Sequence, residues 1–357
     1  MSAAPQDISD VRKAWKEANL APLWENAKAH RPAPPPDAGY LWSWDKIRPL
    51  ITAAIKVASP EAVERRVLQL VPPIPKCQDE QQTSRTLAAN IQILLPGEKA
   101  RPHRHTMNAL RFVLEGSGAS TIVDGKPCPM EEGDLILTPA WTWHEHIHQG
   151  SGPIIWLDAL DVPFQQYMGT GAFQPGPIAE MPETVADAAF AVANVVPDTS
   201  YVTRDYSPVF RYPYASTAAA VAAAPPARDG SRRVRYVNPL TGGPGMAMMD
   251  CFLVQLDGGA ATLPFRTTAN SVCCVVEGCG DCIKRPGVIG VLCRRHCRTS
   301  NRQERAVVHP GGDAVQFCRA FHLHGKLQHV RPRRRLCGRA GRHGTVHGPH
   351  FRVGAHL

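Results

Sequence analysis

Pro102-His103-Arg104-His105-Thr106-Met107-Asn108-Ala109-Leu110-Arg111-Phe112-Val113-Leu114-Glu115-Gly116-Ser117-Gly118 is the stretch that decides the fold. Side chains two apart on an extended strand share a face, so His103 and His105 can aim at one point. A second pair with that spacing follows in Trp143-His144-Glu145-His146. Between the pairs, Gly116-Ser117-Gly118, Asp124-Gly125 and Gly133-Asp134 are turn signals separating short apolar runs. The pattern predicts a β-meander with imidazoles on two strands. Imidazole binds zinc, copper, iron and nickel. A metal site inside a small β-barrel is therefore expected, with His103, His105 and His144 as ligands.

The opening stretch returns once. Pro264-Phe265-Arg266-Thr267-Thr268-Ala269-Asn270-Ser271-Val272-Cys273-Cys274-Val275-Val276-Glu277-Gly278-Cys279-Gly280 aligns with it at a constant offset of 162. This is an internal duplication. Phe265 and Thr267 stand where the first copy has His103 and His105, so the second copy cannot hold a metal the same way.

Working outward, residues 9–29 read as a helix, 31–38 as a Pro-rich linker and 45–56 as a second helix, with 60–66 weaker. Strands are expected at 65–71, 87–95, 109–115, 119–123, 134–138 and 153–160. An Ala- and Pro-rich connector carries one short helix at 216–224. The expected organisation is a helical segment and linker (1–60), a metal-bearing barrel (61–165), the connector (166–235) and the start of a degenerate second barrel (236–280). The remainder (281–357) is a basic tail. Short strands without intervening helices place the chain in the mainly β class, as paired barrels.

Charge follows the same division. Residues 281–357 carry 14 Arg and 2 Lys against 3 acids, a net +13, whereas the whole chain is +9. Nine of the fifteen histidines also lie there. The basic pI of 9.1 therefore describes the tail and gives residues 1–280 no nucleic-acid character. The composition breaks in the middle of the repeat, so the tail reads as translated out of the ancestral frame or otherwise replaced, disordered, and leaving the second barrel incomplete. Its Cys282, Cys293 and Cys297, with Cys279, have no fold signal around them, which weighs against a zinc site. No apolar signal core and no run of 18 apolar residues occurs, so the expected compartment is the cytoplasm, with no membrane partner.

The first copy carries further chemistry. If residues 103–111 run as one strand, Arg111 faces the barrel interior with the ligands. A buried Arg needs an anion, either a substrate carboxylate or an internal partner such as Glu115 or Asp158. His146 shares the face of His144, one step outward, and can take a proton from substrate. Asp158, flanked by apolar residues, is suited to orienting a histidine or an arginine. His148 and His30 are expected at the surface.

Gly97-x5-His103-x-His105 and Gly133-x5-Pro139-x4-His144 resemble the two motifs of the cupin superfamily. A fourth, carboxylate ligand is common there, but Ala109 and Leu110 occupy its spacing. The residues around the histidines, with Leu137-Thr138-Pro139-Ala140-Trp141-Thr142-Trp143-His144-Glu145-His146 and Trp156-Leu157-Asp158-Ala159-Leu160-Asp161, resemble the gentisate 1,2-dioxygenases, as does Tyr236-Val237-Asn238-Pro239-Leu240-Thr241-Gly242-Gly243. Relatives in that family act on salicylate and 1-hydroxy-2-naphthoate. The resemblance, over roughly residues 10–280, implies a bicupin with Fe(II) on His103, His105 and His144 and an often metal-free second barrel. It implies that Arg111, Arg65 and Gln92 contact the substrate's carboxylate and hydroxyl, with His146 and Asp158 behind them. The implied partners are a small aromatic hydroxy-acid and O2, in a homo-oligomer that is tetrameric in the family. The implied reaction opens the ring between its carboxyl-bearing and hydroxyl-bearing carbons, giving maleylpyruvate from gentisate.

Overall fold

The computed structural model describes residues 7–25, 39–63, 65–178, 184–198, 205–228, 230–257, 260, 269–278, 291–293 and 313–319. Helix α1 (Ile8–Glu17) is capped by Asp7, which accepts from Ser9 N, and it stops well before residue 29. Strand β1 (Leu41–Ser43) runs directly into α2 (Trp44–Val57). Then come α3 (Pro60–Val63), β2 (Val67–Gln69) and α4 (Pro75–Asp79).

Eight strands follow with only turns between them. They are β3 (Ala88–Leu94), β4 (Lys99–His105), β5 (Ala109–Glu115), β6 (Ala119–Val123), β7 (Lys126–Met130), β8 (Leu135–Thr138), β9 (His144–His148) and β10 (Ile154–Leu160). Asp124 and Gly125 join β6 to β7 with φ of 46° and 78°. Positive φ at both central residues matches the twist of a two-residue hairpin, which is why Asp-Gly stands there. The chain continues through α5 (Val162–Met168), β11 (Phe173–Pro175), β12 (Arg211–Tyr212), α6 (Tyr214–Ala223), β13 (Arg232–Arg235), β14 (Asp250–Leu256), β15 (Ser271–Val275), β16 (Val291–Cys293) and β17 (Asp313–Arg319).

Three sheets result. One runs β12-β8-β5-β10-β3-β2, a second β11-β4-β9-β6-β7, and the third β1-β16-β15-β17-β14-β13. The first two face each other over Leu94, Val113, Val123, Cys128, Met130, Ile136, Ile154 and Trp156, and enclose the first barrel. The outer face of the first sheet (Ile91, Ile93, Leu110, Phe112, Leu114, Leu157) packs on Met249, Cys251, Leu253, Val272 and Cys274 of the third. The middle strands of that sheet are thus covered on both faces, so they read as continuous apolar runs rather than alternating ones.

Two expectations are corrected. Residues 103–111 are not one strand; the chain turns at 106–108 between β4 and β5. Strands also do occur after residue 280: β17 pairs with β14 and β15, and β16 runs parallel to β15 and to β1. The N-terminal β1 therefore extends the second unit's sheet, a pairing across some 250 residues that no local pattern encodes. The rest of 281–357, with its expected disorder, and the linker at 31–38 lie outside the described residues.

Candidate metal centre and its cavity

β4 meets β9 with a register shift between Ala100 and His103. Pro102 sits in that bulge, where it has no N–H to give the ladder. The shift sets His103 directly across from His144. Ring centroids lie 4.1 Å apart for His103 and His144, 4.8 Å for His105 and His144, and 5.4 Å for His103 and His105. One nitrogen from each of the three lies within 4.8 Å of the others.

The tautomers follow from the backbone. Nδ1 of His103 meets Arg101 O at 3.2 Å, Nδ1 of His105 meets Met107 O at 2.9 Å, and Nδ1 of His144 meets Thr142 O at 3.0 Å. A carbonyl only accepts, so each Nδ1 carries the proton and each Nε2 keeps a lone pair. Burial then holds the rings neutral: His103 is pushed down to about 2, helped by Arg65, and His105 to about 4. His144, buried among His103, Arg111 and His105, also lies well below the usual range. His144 Nε2 is buried with no hydrogen-bond partner among the described residues. Three neutral imidazoles with free Nε2 atoms, one of them orphaned, fit a divalent transition metal. Ala109 and Leu110, at the spacing of a fourth ligand, are buried and apolar.

Arg111 reaches the cavity from β5, so its inward direction stands although the strand argument for it does not. Its Nη1 donates to Thr138 Oγ1 at 2.6 Å, and its Nε lies 3.3 Å from Asp158 Oδ1. Neither Nε nor Oδ1 makes a hydrogen bond, so the contact is an ion pair with poor hydrogen-bond geometry. Asp158 therefore faces an arginine rather than a histidine, and it also accepts from Trp156 Nε1 at 3.0 Å. Burial raises Asp158 to about 6 against the pull of Arg111. Glu115 is not the partner of Arg111; it accepts from Trp44 Nε1 and Arg48 Nε.

His146 is buried beside Trp156, and its Nδ1 lies 3.0 Å from Thr121 Oγ1. The Thr121 hydroxyl also contacts Met130 Sδ at 3.3 Å. Two tautomers satisfy this contact: His146 Nδ1–H donates to Oγ1 and leaves Nε2 as an acceptor, or the Thr121 hydroxyl donates to Nδ1 and leaves Nε2 protonated. Burial, followed by Arg111, holds this ring neutral as well. His148 was expected at the surface and is buried; its Nε2 bonds Gly152 O at 2.6 Å, closing the β9–β10 turn. His30 lies outside the described residues.

The adjacent arginines divide cleanly. Arg66 donates Nη1 and Nη2 to Glu98 at 3.0 and 2.8 Å and Nε to Ala58 O, so it is a framework residue. Arg65 stands 5.9 Å from the Phe173 ring, and its charge acts on His103, His105 and His146. Gln92 is buried on β3, and its Nε2 has no hydrogen-bond partner among the described residues. Phe173 stacks on His103 at 5.4 Å and lines a cleft of about 860 Å³ with Val63, Arg101 and Pro175. Thr121, Thr138 and Phe173 carried no sequence signal. Each matters through a strand pairing, such as Phe173 opposite His105.

Residues 90–160 match the cupin domain family. The chain is 39% identical to a gentisate 1,2-dioxygenase of Ralstonia sp. over 73% of this chain and 75% of that protein. It is 33% identical to a 5-aminosalicylate 1,2-dioxygenase of Comamonas sp., covering 78% and 76%. Its structure is similar to that of a salicylate 1,2-dioxygenase from Pseudaminobacter salicylatoxidans, with a TM-score of 0.64 and 27% identity over 90% and 92% of the two chains. The duplicated segment, the first barrel with the third sheet packed on it and the histidine triad agree with these likenesses, and the chain belongs to the gentisate 1,2-dioxygenase family of ring-cleaving bicupin oxidoreductases.

Proposed function

We propose that the chain is an Fe(II)-dependent dioxygenase that opens gentisate between its carboxyl-bearing and hydroxyl-bearing carbons, incorporating both atoms of O2 to give maleylpyruvate. The observation that carries this reading is the triad of neutral, Nδ1-anchored imidazoles facing an ion-paired arginine in a closed barrel. Iron held by His103, His105 and His144 would supply the point where the hydroxy-acid and dioxygen meet and the path for electrons between them.

The chain's own residues do the remaining work. Arg111, fixed by Thr138 and Asp158, receives the substrate carboxylate, and Arg65 adds positive charge beside Phe173. Two guanidinium charges, Arg111 and Arg65, act on the same imidazoles, so this wall favours an anion. Gln92 Nε2 donates to the substrate's carboxylate or hydroxyl oxygen, which satisfies a donor otherwise left unpaired. His146 Nε2 takes the hydroxyl proton. Its depressed affinity for protons makes it a relay rather than a store. Val113, Ile136, Ile154 and Trp156 keep the cavity dry, so these charges act at low dielectric.

The test is oxygen uptake by the full chain loaded anaerobically with Fe(II) and then given gentisate. One O2 consumed per gentisate, with loss of the aromatic absorbance, is the expected result. Metal binding without uptake would make the chain a non-catalytic cupin. Faster uptake with salicylate or 1-hydroxy-2-naphthoate would move the substrate assignment within the family.

A further inference from the structure

Two carboxamides adjoin on the inward face of β3, and each keeps one polar atom buried without a hydrogen bond among the described residues: Gln92 Nε2 and Asn90 Oδ1. Asn90 has no role in the reading above. Its face is fixed by register. Asn90 lies opposite Asp158 on β10, and Asp158 lies opposite Arg111 on β5. Arg111 and Asp158 are ion-paired inside the barrel, and Ile91 and Ile93 point the other way, into the third sheet. The row Gln69, Asn90, Asp158, Arg111 therefore lies on the face of the first sheet turned toward the histidine-bearing sheet. Among the described residues nothing in that row donates to Asn90 Oδ1: Asp158 offers acceptors, Arg111 is turned to Asp158 and Thr138, and Gln69 makes no hydrogen bond to it. A buried carbonyl oxygen without a donor is costly. A donor on a molecule bound against this face would satisfy it.

We infer that Asn90 forms a subsite for a hydrogen-bond-donating ring substituent, a hydroxyl or an amino group, on the substrate held by Arg111 and Gln92. This rests on the dioxygenase reading. Residues two apart on a strand are separated by about 6.8 Å, close to the width of a substituted benzene ring. A carboxylate end at Arg111 and Gln92 leaves a substituent on the far side of the ring within reach of Asn90. An acceptor there selects hydroxyl or amino groups, gains nothing from hydrogen and repels nitro.

The test compares the wild-type chain with Asn90→Leu, an apolar near-isostere, using gentisate, 5-aminosalicylate and salicylate. Binding is measured without oxygen by titration calorimetry on the Fe(II)-loaded protein, and turnover by oxygen uptake. The wild type should bind the two substituted acids at least about 10-fold tighter than salicylate. Asn90→Leu should erase that preference, leave salicylate binding unchanged, and keep or raise the thermal midpoint, because an unsatisfied acceptor has been removed. A preference that survives Asn90→Leu overturns the inference. So does an equal loss on all three acids with a lower midpoint, which marks a structural role. Selective binding without oxygen uptake keeps the subsite and sinks the dioxygenase reading; uptake without selectivity does the reverse.

Discussion

The two copies of the repeated segment keep the same framework and differ in chemistry. Asn108 and Asn270 both anchor it, the first through Asp161 and Ala140 N, the second through Thr86. Glu115 and Glu277 each hold a neighbouring helix, α2 through Trp44 and Arg48, and α6 through Tyr214. Gly116 and Gly278 both adopt positive φ, 89° and 82°. At Gly116 an added Cβ would strike Pro153 O. What has diverged is the chemistry at three positions of the repeat: His103, His105 and Arg111 correspond in sequence to Phe265, Thr267 and Cys273. Folding constrains the turn and the anchors in both copies, whereas the histidine triad and Arg111 occur in only one. The second unit is left to cover the outer face of the first sheet.

Converting the first copy into the second is the strongest way to break this contrast. The double change His103→Phe and His105→Thr removes two of three ligands from a closed barrel. Metal per chain, read by elemental analysis, should fall from near stoichiometric to background, and oxygen uptake with gentisate should vanish. The far-ultraviolet circular dichroism should be retained, because the two rings make only local Nδ1 contacts to Arg101 O and Met107 O and the strand pairing is carried by the backbone. Retained metal would mean that the ion is held elsewhere.

Arg111→Cys makes the next exchange. It strands Asp158 in the interior, and breaking a buried pair from one side costs about 3–5 kcal/mol. Adding Asp158→Asn should recover much of that. The sign of the pH dependence follows. Asp158 titrates at about 6 in the fold against an ordinary 3.8, so the folded chain holds this proton more tightly than the unfolded one. Its contribution is complete below about pH 4 and is lost as pH rises through 6. In metal-free protein, Asp158→Asn should flatten that part of the stability curve, read from denaturant midpoints. Arg111→Cys alone should move it to higher pH.

The same contrast explains what the sequence could say. β5 and β6 were legible to the residue, because glycine turns and apolar runs are local signals. The triad was legible because alternation on one strand and a fixed gap to the next place all three rings. The turn at 106–108 was missed because Thr106-Met107-Asn108 carries neither Gly nor Pro. The burial of His148, the division of labour between Arg65 and Arg66, and the pairing of β11 with β4 all depend on what lies across a strand boundary. Side-chain periodicity holds no information about that.

A smaller effect probes what supports the copy that kept its chemistry. Thr121→Val removes the hydrogen-bond partner of His146 Nδ1 and so loosens the ring's orientation. Partners that orient a site histidine are typically worth about 10- to 100-fold in activity. The loss should fall on kcat with KM little changed, since in the proposed mechanism Thr121 supports the proton acceptor and not the carboxylate site. A change confined to KM would remove His146 from proton transfer.

The smallest expected effect tests the shared framework itself. Glu115 is half-buried and accepts from two donors of α2, one of them charged. Glu277 accepts one hydrogen bond, from the exposed Tyr214 hydroxyl. Removing a partly buried acceptor with a charged donor costs about 1–3 kcal/mol, and an exposed contact about 1 kcal/mol or less. Glu115→Ala should therefore lower the urea midpoint more than Glu277→Ala, with metal content unchanged in both. The reverse order would mean that α6, and through it the second unit, sets the stability of the whole. In that case the second copy, although stripped of ligands, would be the part on which the metal-bearing barrel depends to stay folded.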